Sequence, residues 1–185
     1  MTLQRLKRGH TGVLVIDIQE RLYAHVERSC EMFHATKIFV QAMNILGVPI
    51  VVTEQYPEKM GQTLLQLREE MPEEQCHYFS KTAFSCLGDE KIRQHILSLP
   101  YDNWILVGME AHVCVLQTAI DLLQEDKGVV VINDAITSRS IYDYSTAIAE
   151  LRDWGARVTS VETVLFELLS DSKAAEFKQI SQLIK

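Results

Sequence analysis

The stretch from Asn103 to Leu116 constrains the fold more than any other part of the chain, because its character changes twice. It begins as an apolar run, passes through Gly108, makes a short polar turn and then reaches Cys114. Around the cysteine, apolar residues recur at the spacing of an amphipathic helix, at Val113, Leu116, Ala119, Ile120 and Leu123. The pattern predicts a buried strand, a tight turn and a helix whose first turn carries a thiol.

Cys114 is a candidate nucleophile because of this position. The first turn of a helix has a partial positive charge and free backbone N–H groups, which stabilise a thiolate relative to a thiol. The thiolate is the reactive form of cysteine. A plain packing role is the alternative, because free cysteine usually behaves as a small buried apolar residue. Position alone leaves both roles open.

The length and composition are those of one globular domain, so we expect residues 1–185 to form a single domain. Of the 185 residues, 47% are hydrophobic and 23% are charged. The formal net charge is −7, and no basic run is longer than a few residues. Nucleic acid is therefore not an expected partner, because its binding depends on lysine and arginine contacts to phosphate.

Several absences in the sequence predict a cytoplasmic protein. Met1–His10 contains basic residues but no apolar segment typical of a signal peptide. No apolar stretch is long enough to cross a bilayer, so a membrane is not an expected partner. The cysteines at positions 30, 76, 86 and 114 lack the dense spacing of a disulfide framework, which favours a reducing compartment.

Apolar runs alternate with helical patterns along the chain. Strands are predicted at 12–17, 48–53, 77–81, 103–107, 128–134 and 157–160. Helices are predicted at 29–46, 63–70, 89–98, 142–154, 161–169 and 172–184, in addition to the helix that begins at Cys114. This alternation implies right-handed βαβ units and an α/β fold with a mainly parallel sheet.

Three chemically active side chains are expected at the carboxyl ends of these strands. Asp17 ends the first strand, Lys81 ends the third, and Cys114 follows the fourth. Ligands of open parallel sheets bind at this rim. The lysine can lower the pKa of the thiol, the carboxylate can accept its proton, and backbone N–H groups of the turn can stabilise an oxyanion. The alternatives are that Asp17 caps a turn and that Lys81 is an exposed lysine.

The motifs resemble those of the isochorismatase-like cysteine hydrolases. The resemblance is carried by Asp17-Ile18-Gln19, by residues 79–85 (FSKTAFS) and by residues 108–115 (GMEAHVCV), which agree in order and spacing. It extends from about Gly12 to Leu169 and is closest to the isochorismatase-domain-containing branch. It implies a three-layer αβα, Rossmann-like fold with a six-stranded parallel sheet in the order 3-2-1-4-5-6.

The same resemblance implies roles for individual residues. Cys114 would be the nucleophile, Asp17 the general base, and Lys81 the residue that supports the thiolate and the transition state. The oxyanion donors would be the backbone N–H groups of Glu110 and Cys114. A non-proline cis peptide bond would lie between Met109 and Glu110.

The sequence departs from two motifs of the superfamily. Nicotinamidases bind a metal through an Asp-x-His motif after the second strand, whereas Thr53–Tyr56 stands here, and the 6 histidines include no pair at metal-binding spacing. We therefore expect no catalytic metal and no cofactor, and nicotinamide is not an expected substrate. The Arg-x-Gly-Thr pattern of some isochorismatases is also missing between Tyr56 and His77. Its absence makes isochorismate a doubtful substrate and favours an amide C–N bond over a vinyl ether.

Five residues are candidates for the substrate pocket because they follow strand ends, flank Lys81 or lie in the catalytic turn: Tyr23, Gln55, Tyr56, Phe84 and Glu110. Ordinary core or turn roles are the alternatives for all of them. The other three cysteines and His112 are expected to be structural.

The sequence thus predicts a metal-independent cysteine hydrolase that acts on a small amide, carbamoyl or related acyl substrate through a thioester. The resemblance also implies a homo-oligomer. One rival hypothesis is an inactive family member that serves as an oligomeric scaffold or binds a partner. A flavodoxin-like nucleotide binder is disfavoured, because Asp17–Glu20 stands where a glycine-rich phosphate loop would be needed.

Overall fold

A parallel sheet forms the centre of the computed structural model, which describes residues 5–72 and 76–185. Within those ranges six strands pair in the order β3-β2-β1-β4-β5-β6, and every adjacent pair is parallel. The strands are β1 (Thr11–Ile16), β2 (Ile50–Gln55), β3 (Cys76–Lys81), β4 (Asn103–Gly108), β5 (Gly128–Ile136) and β6 (Arg157–Thr159). The predicted α/β class and the 3-2-1-4-5-6 order are confirmed.

Helices cover both faces of the sheet. They are α1 (Glu20–Tyr23), α2 (Ser29–Leu46), α3 (Pro57–Met60), α4 (Leu65–Arg68), α5 (Glu90–Ser98), α6 (Leu116–Gln124), α7 (Ile141–Asp153), α8 (Val161–Leu169) and α9 (Phe177–Leu183). Helices α2, α8 and α9 pack together on one face, and α5, α6 and α7 cover the other. A π-helical turn, Ala111–Val115, leads into α6. No helix in the described ranges is long and apolar enough to cross a membrane.

The central strand shows why a continuous apolar run folds in this way. Every residue of β1 is buried. Val13 and Val15 contribute to the core beneath α2 and α8, whereas Leu14 and Ile16 contribute to the core beneath α5 and α6. Successive side chains of a strand point to opposite faces, so a strand covered on both faces needs apolar residues throughout. Burying each of these side chains contributes roughly 1.5–3 kcal/mol.

Helix boundaries agree with the sequence pattern where a clear stop signal exists. The predicted helix 29–46 coincides with α2, which ends at Gly47 in the left-handed conformation (φ 66°). The helix predicted at 172–184 is shorter, because the Asp171 side chain accepts a hydrogen bond from the N–H of Lys173 (2.8 Å) and holds a turn there. The predicted absence of a signal peptide concerns Met1–His10, of which residues 1–4 lie outside the described ranges.

Candidate active site

Asp17 directly follows β1 and is fully buried. Its backbone is left-handed (φ 54°), a conformation that aspartate tolerates better than most residues. The hydroxyl of Thr53, on the adjacent strand β2, donates to Oδ1 of Asp17 at 2.9 Å. The ammonium of Lys81 donates to Oδ2 at 2.6 Å. The carboxylate is therefore held from two sides by neighbouring strands and does not act as a solvent-exposed turn cap.

Lys81 ends β3 and is also buried, with no exposed side-chain surface. Besides Asp17, its Nζ lies 2.6 Å from Oε1 of Gln55 and 3.0 Å from the carbonyl oxygen of Phe84. The carbonyl oxygen of Ala83 lies slightly farther away, at 3.3 Å. An ammonium has three N–H groups, so these acceptors satisfy all of them. The exposed-lysine alternative is wrong, because the side chain points inward to a buried carboxylate.

The turn after β4 depends on Gly108. This residue has φ 153°, and a Cβ on it would lie 2.2 Å from the carbonyl oxygen of Ile16 on β1. Only glycine permits this close approach of the two strands. Glu110 is left-handed (φ 56°, ψ 57°) and begins the π-helical turn.

The predicted cis peptide bond between Met109 and Glu110 is wrong. The described ranges contain no cis peptide bond. The chain reverses direction here through the left-handed backbone of Glu110 and the π-helical turn that follows it, with ordinary trans bonds.

Cys114 lies in that π-helical turn and is almost completely buried. Its thiol is hydrogen-bonded to the carboxylate of Asp17. A π-helical turn widens the helix by one residue and is often found at functional sites. The structure thus brings the thiol, carboxylate and ammonium of the three predicted residues into one connected group, with Asp17 in the middle.

The charge states within this group differ from the simplest expectation. Burial raises the pKa of the Cys114 thiol, the Asp17 carboxylate raises it further, and Lys81 lowers it only in part. Lys81 thus acts in the expected direction, but burial and Asp17 outweigh it, so the net pKa of the thiol is raised and not lowered. At rest the thiol keeps its proton and donates a hydrogen bond to the carboxylate.

The two ionised partners also shift each other. Burial raises the pKa of Asp17, and the attraction of Lys81 opposes this effect without cancelling it. Desolvation is the largest single effect on Lys81 and lowers its pKa, but Asp17 together with Cys86 and Cys114 outweighs it, so the net pKa is raised. Lys81 therefore stays protonated, and Asp17 is a stronger base than an exposed aspartate.

Neighbouring carbonyl oxygens accept hydrogen bonds from several backbone N–H groups of the turn after β4. The N–H of Met109 donates to Ile16, that of Ala111 donates to Thr137, and that of Val113 donates to Glu110. None of these bonds uses the N–H of Glu110. Its role as an oxyanion donor, together with the N–H of Cys114, stays a prediction.

A cavity of about 770 Å³ opens onto Cys114, which suits a small molecule. Three of the predicted pocket residues line it, namely Gln55, Phe84 and Glu110. Tyr23 and Tyr56 are not part of the lining. The hydroxyl of Tyr23 lies 3.6 Å from the sulfur of Cys30, and the ring of Tyr56 lies under the ammonium of Lys59.

Sequence patterns miss most of the remaining lining, which consists of Arg21, Leu22, His25, Lys59, Met60, Val113 and Arg139. Arg21 and Lys59 lie on the single-turn helices α1 and α3, which are too short to show a helical period. The nearest sequence signal is Gln19 of the Asp17-Ile18-Gln19 motif, whose side-chain amide bonds the backbone beside α3. Arg139 is held by Glu110, with Nε 3.0 Å from Oε1.

Within residues 5–72 and 76–185, no group of three or more histidine, cysteine, aspartate or glutamate side chains is arranged to hold a metal ion. Lys81 occupies the side of Asp17 where a cation would be attracted.

The comparisons with known proteins agree with this architecture. The chain matches the isochorismatase domain over residues 11–163. It is 38% identical to the secreted isochorismatase effector Isc1 of Phytophthora sojae, over 95% of this chain and 85% of the relative. It is 33% identical to isochorismatase domain-containing protein 2 of Bos taurus, over 99% of this chain and 87% of the relative.

Among solved structures, the MAR1 ribonuclease of Caenorhabditis elegans superposes with a TM-score of 0.92. It is 34% identical in sequence, and the match covers 98% of this chain and 92% of that chain. The domain match, the relatives and the shared sheet topology together show that this chain belongs to the isochorismatase family and has its hydrolase fold.

Proposed function

We propose that the protein is a metal-independent cysteine hydrolase that cleaves a small amide, carbamoyl or related acyl substrate. The observation that carries this proposal is the buried arrangement in which the Cys114 thiol is bonded to Asp17, and Asp17 is bonded to Lys81, beside a cavity of about 770 Å³. A purely structural cysteine needs no ionised pair behind it, and such a pair is unfavourable to bury. Packing alone therefore does not account for the arrangement.

The first half of the reaction forms a thioester. The sulfur of Cys114 attacks the carbonyl carbon of the substrate while the thiol proton moves to the carboxylate of Asp17. The resulting oxyanion is stabilised by the backbone N–H groups of Glu110 and Cys114. When the tetrahedral intermediate collapses, Asp17 returns the proton to the leaving nitrogen, and the C–N bond breaks.

The second half releases the product. A water molecule attacks the thioester carbon while Asp17 accepts one of its protons. The C–S bond then breaks, the proton on Asp17 returns to the sulfur, and the acid leaves. Lys81 keeps its proton throughout, so it favours the ionised form of Asp17 each time the carboxyl group has returned its proton.

The raised pKa values of Cys114 and Asp17 are consistent with this mechanism. A thiol with a raised pKa is a poor nucleophile alone, but its hydrogen bond to Asp17 allows the proton to leave as the S–C bond forms. Burial moves the pKa of Asp17 upward, toward the range where general bases work best. The pair thus favours proton transfer during attack over a free thiolate at rest.

Two other functions make different predictions. An inactive scaffold requires neither a reactive thiol nor an open cavity. A ribonuclease, the name carried by the C. elegans structure, requires phosphate contacts along an RNA strand. The net charge of −7 and the small number of cations around the cavity favour a small substrate over RNA.

The test is a panel of small amides, carbamoyl compounds and single-stranded RNA, assayed with wild type, Cys114→Ala, Asp17→Asn and the control Cys30→Ala. We expect amide turnover that is abolished in Cys114→Ala, falls by roughly 10²–10⁴-fold in Asp17→Asn and is unchanged in Cys30→Ala. Mass spectrometry of quenched reactions should show the acyl group on Cys114. Turnover that survives Cys114→Ala, or an active chain that cleaves only RNA, would contradict the proposal.

The same proposal extends to the organisation of the protein. We propose one domain over residues 1–185, acting in the cytoplasm as a homo-oligomer. Strands from both ends of the chain share one sheet, which supports the single domain. Tyr142 and Trp154, at opposite ends of α7, are exposed aromatic residues that a second subunit could cover. Sedimentation of the purified chain measures the oligomer directly.

A further inference from the structure

The cavity beside Cys114 carries more positive than negative charge, although the chain as a whole is acidic. Its permanently charged lining residues are Arg21, Lys59, Arg139 and a single carboxylate, Glu110. Arg139 and Glu110 form an ion pair at 3.0 Å and largely neutralise each other. Two cations, Arg21 and Lys59, are left over.

Neither of these two cations has a carboxylate partner in the described part of the chain. The ammonium of Lys59 lies 4.7 Å from the centre of the Tyr56 ring, which orients the ammonium without removing its charge. Glu20 and Glu58, which belong to the same helical turns, are not part of the cavity lining. An anion that enters the cavity therefore meets an uncompensated positive field.

A buried glutamine joins the two short helices that carry these cations. Gln19 immediately precedes α1, and its amide nitrogen donates to the carbonyl oxygens of Gln55 (3.1 Å) and Gly61 (2.6 Å). Its amide oxygen accepts from the N–H of Gln55 at 2.7 Å. Gln55 and Gly61 flank α3, so this side chain joins α1, which carries Arg21, to α3, which carries Lys59.

Part of the cavity lining is apolar. Leu22, Met60, Phe84 and Val113 all line the cavity. Such a surface gains free energy by contacting a hydrocarbon body. The cavity therefore combines the thiol, apolar walls and a positive rim formed by the exposed residues Arg21 and Lys59.

We propose that the substrate is an amphipathic small acid, with its scissile acyl group at Cys114, an apolar body along the walls, and a carboxylate paired with Arg21 and Lys59. This assignment rests on the proposed function, because it places the scissile bond at Cys114. A phosphodiester chain would supply the same negative charge. The described lining of the cavity offers two cations without a carboxylate partner, which favours a single carboxylate over a nucleic-acid strand, because a strand needs a row of cations.

The experiment uses two alkylating reagents that differ only in charge: bromoacetyl-aminohexanoate and its terminal carboxamide. With either reagent, the sulfur of Cys114 forms a bond to the CH₂ carbon, bromide leaves, and the thiol proton passes to Asp17. Rates at Cys114 are read by peptide mass mapping at mildly alkaline pH. The neutral thiol 2-mercaptoethanol in the same tube corrects for intrinsic reactivity.

In wild type we expect the carboxylate reagent to alkylate Cys114 roughly tenfold faster than the carboxamide, relative to the reference thiol. The ratio of the two rates should fall to about one in the double variant Arg21→Met, Lys59→Met. In wild type the ratio should decrease as added salt screens the positive charges. The matched control is Lys173→Met, Lys178→Met, which removes the same charge from exposed residues outside the lining. The control should keep the wild-type preference.

Each outcome separates this inference from the function on which it rests. Equal corrected rates for the two reagents at Cys114 would overturn the carboxylate site and leave the cysteine hydrolase standing. Failure of both reagents to reach Cys114 would contradict the hydrolase and the inference together. If single-stranded RNA protects Cys114 at concentrations where hexanoate does not, the positive rim binds phosphate chains and the small-acid assignment is wrong.

Discussion

Replacing Lys81 by methionine tests whether the buried ion pair is as important to the fold as its geometry implies. Lys81 and Asp17 are 2.6 Å apart, and neither side chain has exposed surface. Removing the lysine leaves a buried carboxylate whose charge has no partner, although Thr53 and Cys114 still bond to it. Breaking one side of a buried pair typically costs about 3–5 kcal/mol, and we expect Lys81→Met to lower the free energy of unfolding by that amount near neutral pH.

The destabilisation should depend on pH in a defined direction. Lys81 lowers the pKa of Asp17, so without it the folded-state pKa of Asp17 rises further above the value in the unfolded chain. A carboxyl group with a raised folded pKa favours the fold when protonated, and this contribution is lost as the pH rises through the folded pKa. The deficit of Lys81→Met relative to wild type should therefore be largest near neutral pH and shrink as the pH falls toward about 5.

Urea unfolding of a double-mutant cycle measures both effects. The cycle contains wild type, Lys81→Met, Asp17→Asn and the double variant, each at about pH 7 and about pH 5. We expect the double variant to be more stable than the sum of the single losses predicts, with a coupling of roughly 2–3 kcal/mol, because it leaves no unpaired charge. A deficit below about 1 kcal/mol for Lys81→Met, or one that grows on acidification, would refute the reasoning.

Two further substitutions test the framework around this pair. Gly108→Ala should lower the free energy of unfolding by roughly 3 kcal/mol or more, because its Cβ would lie 2.2 Å from the carbonyl oxygen of Ile16. Gly47 has φ 66° and no atom within 4 Å of the position that a Cβ would occupy, so Gly47→Ala should lower the free energy of unfolding by only about 1 kcal/mol in the same urea assay. Thr53→Val removes the donor to Oδ1 of Asp17 and should raise the pKa of Asp17, so the acidic limb of the pH–rate profile moves to higher pH, whereas Thr53→Ser should retain the wild-type profile. An unshifted acidic limb in Thr53→Val would show that this hydrogen bond does not tune the base.

The strands and the three residues at their ends could be predicted from the sequence because parallel sheets follow general rules of burial and topology. Parallel strands buried on both faces read as continuous apolar runs, and their carboxyl ends must meet at one edge of the sheet. Asp17 and Cys114 follow such runs, and Lys81 ends the less regular edge strand β3, so the sheet topology brings the three residues near one another.

The protonation state and the cavity walls could not be predicted because they depend on local geometry. The sequence places a lysine near a thiol, but only the structure reveals that Lys81 bonds to Asp17 and that burial raises the pKa of Cys114. Arg21 and Lys59 lie on one-turn helices whose position depends on the buried side chain of Gln19. Hydrophobic periodicity contains no information about such a contact.

The proposed reactive residues and the proposed anion-binding residues lie on different kinds of structural element. Ile16 pairs with Gly108 where β1 and β4 end, so the base and the thiol follow two strands that are locked in register. A shift by one residue would exchange the buried faces of both strands, which the apolar core prevents. Arg21 and Lys59, by contrast, belong to short surface turns that contribute little to that core. Substitutions in these turns can therefore change which anion is bound while the thiol and its base stay in place, so Arg21→Met, Lys59→Met should alter reagent selectivity without altering the stability measured for the ion pair.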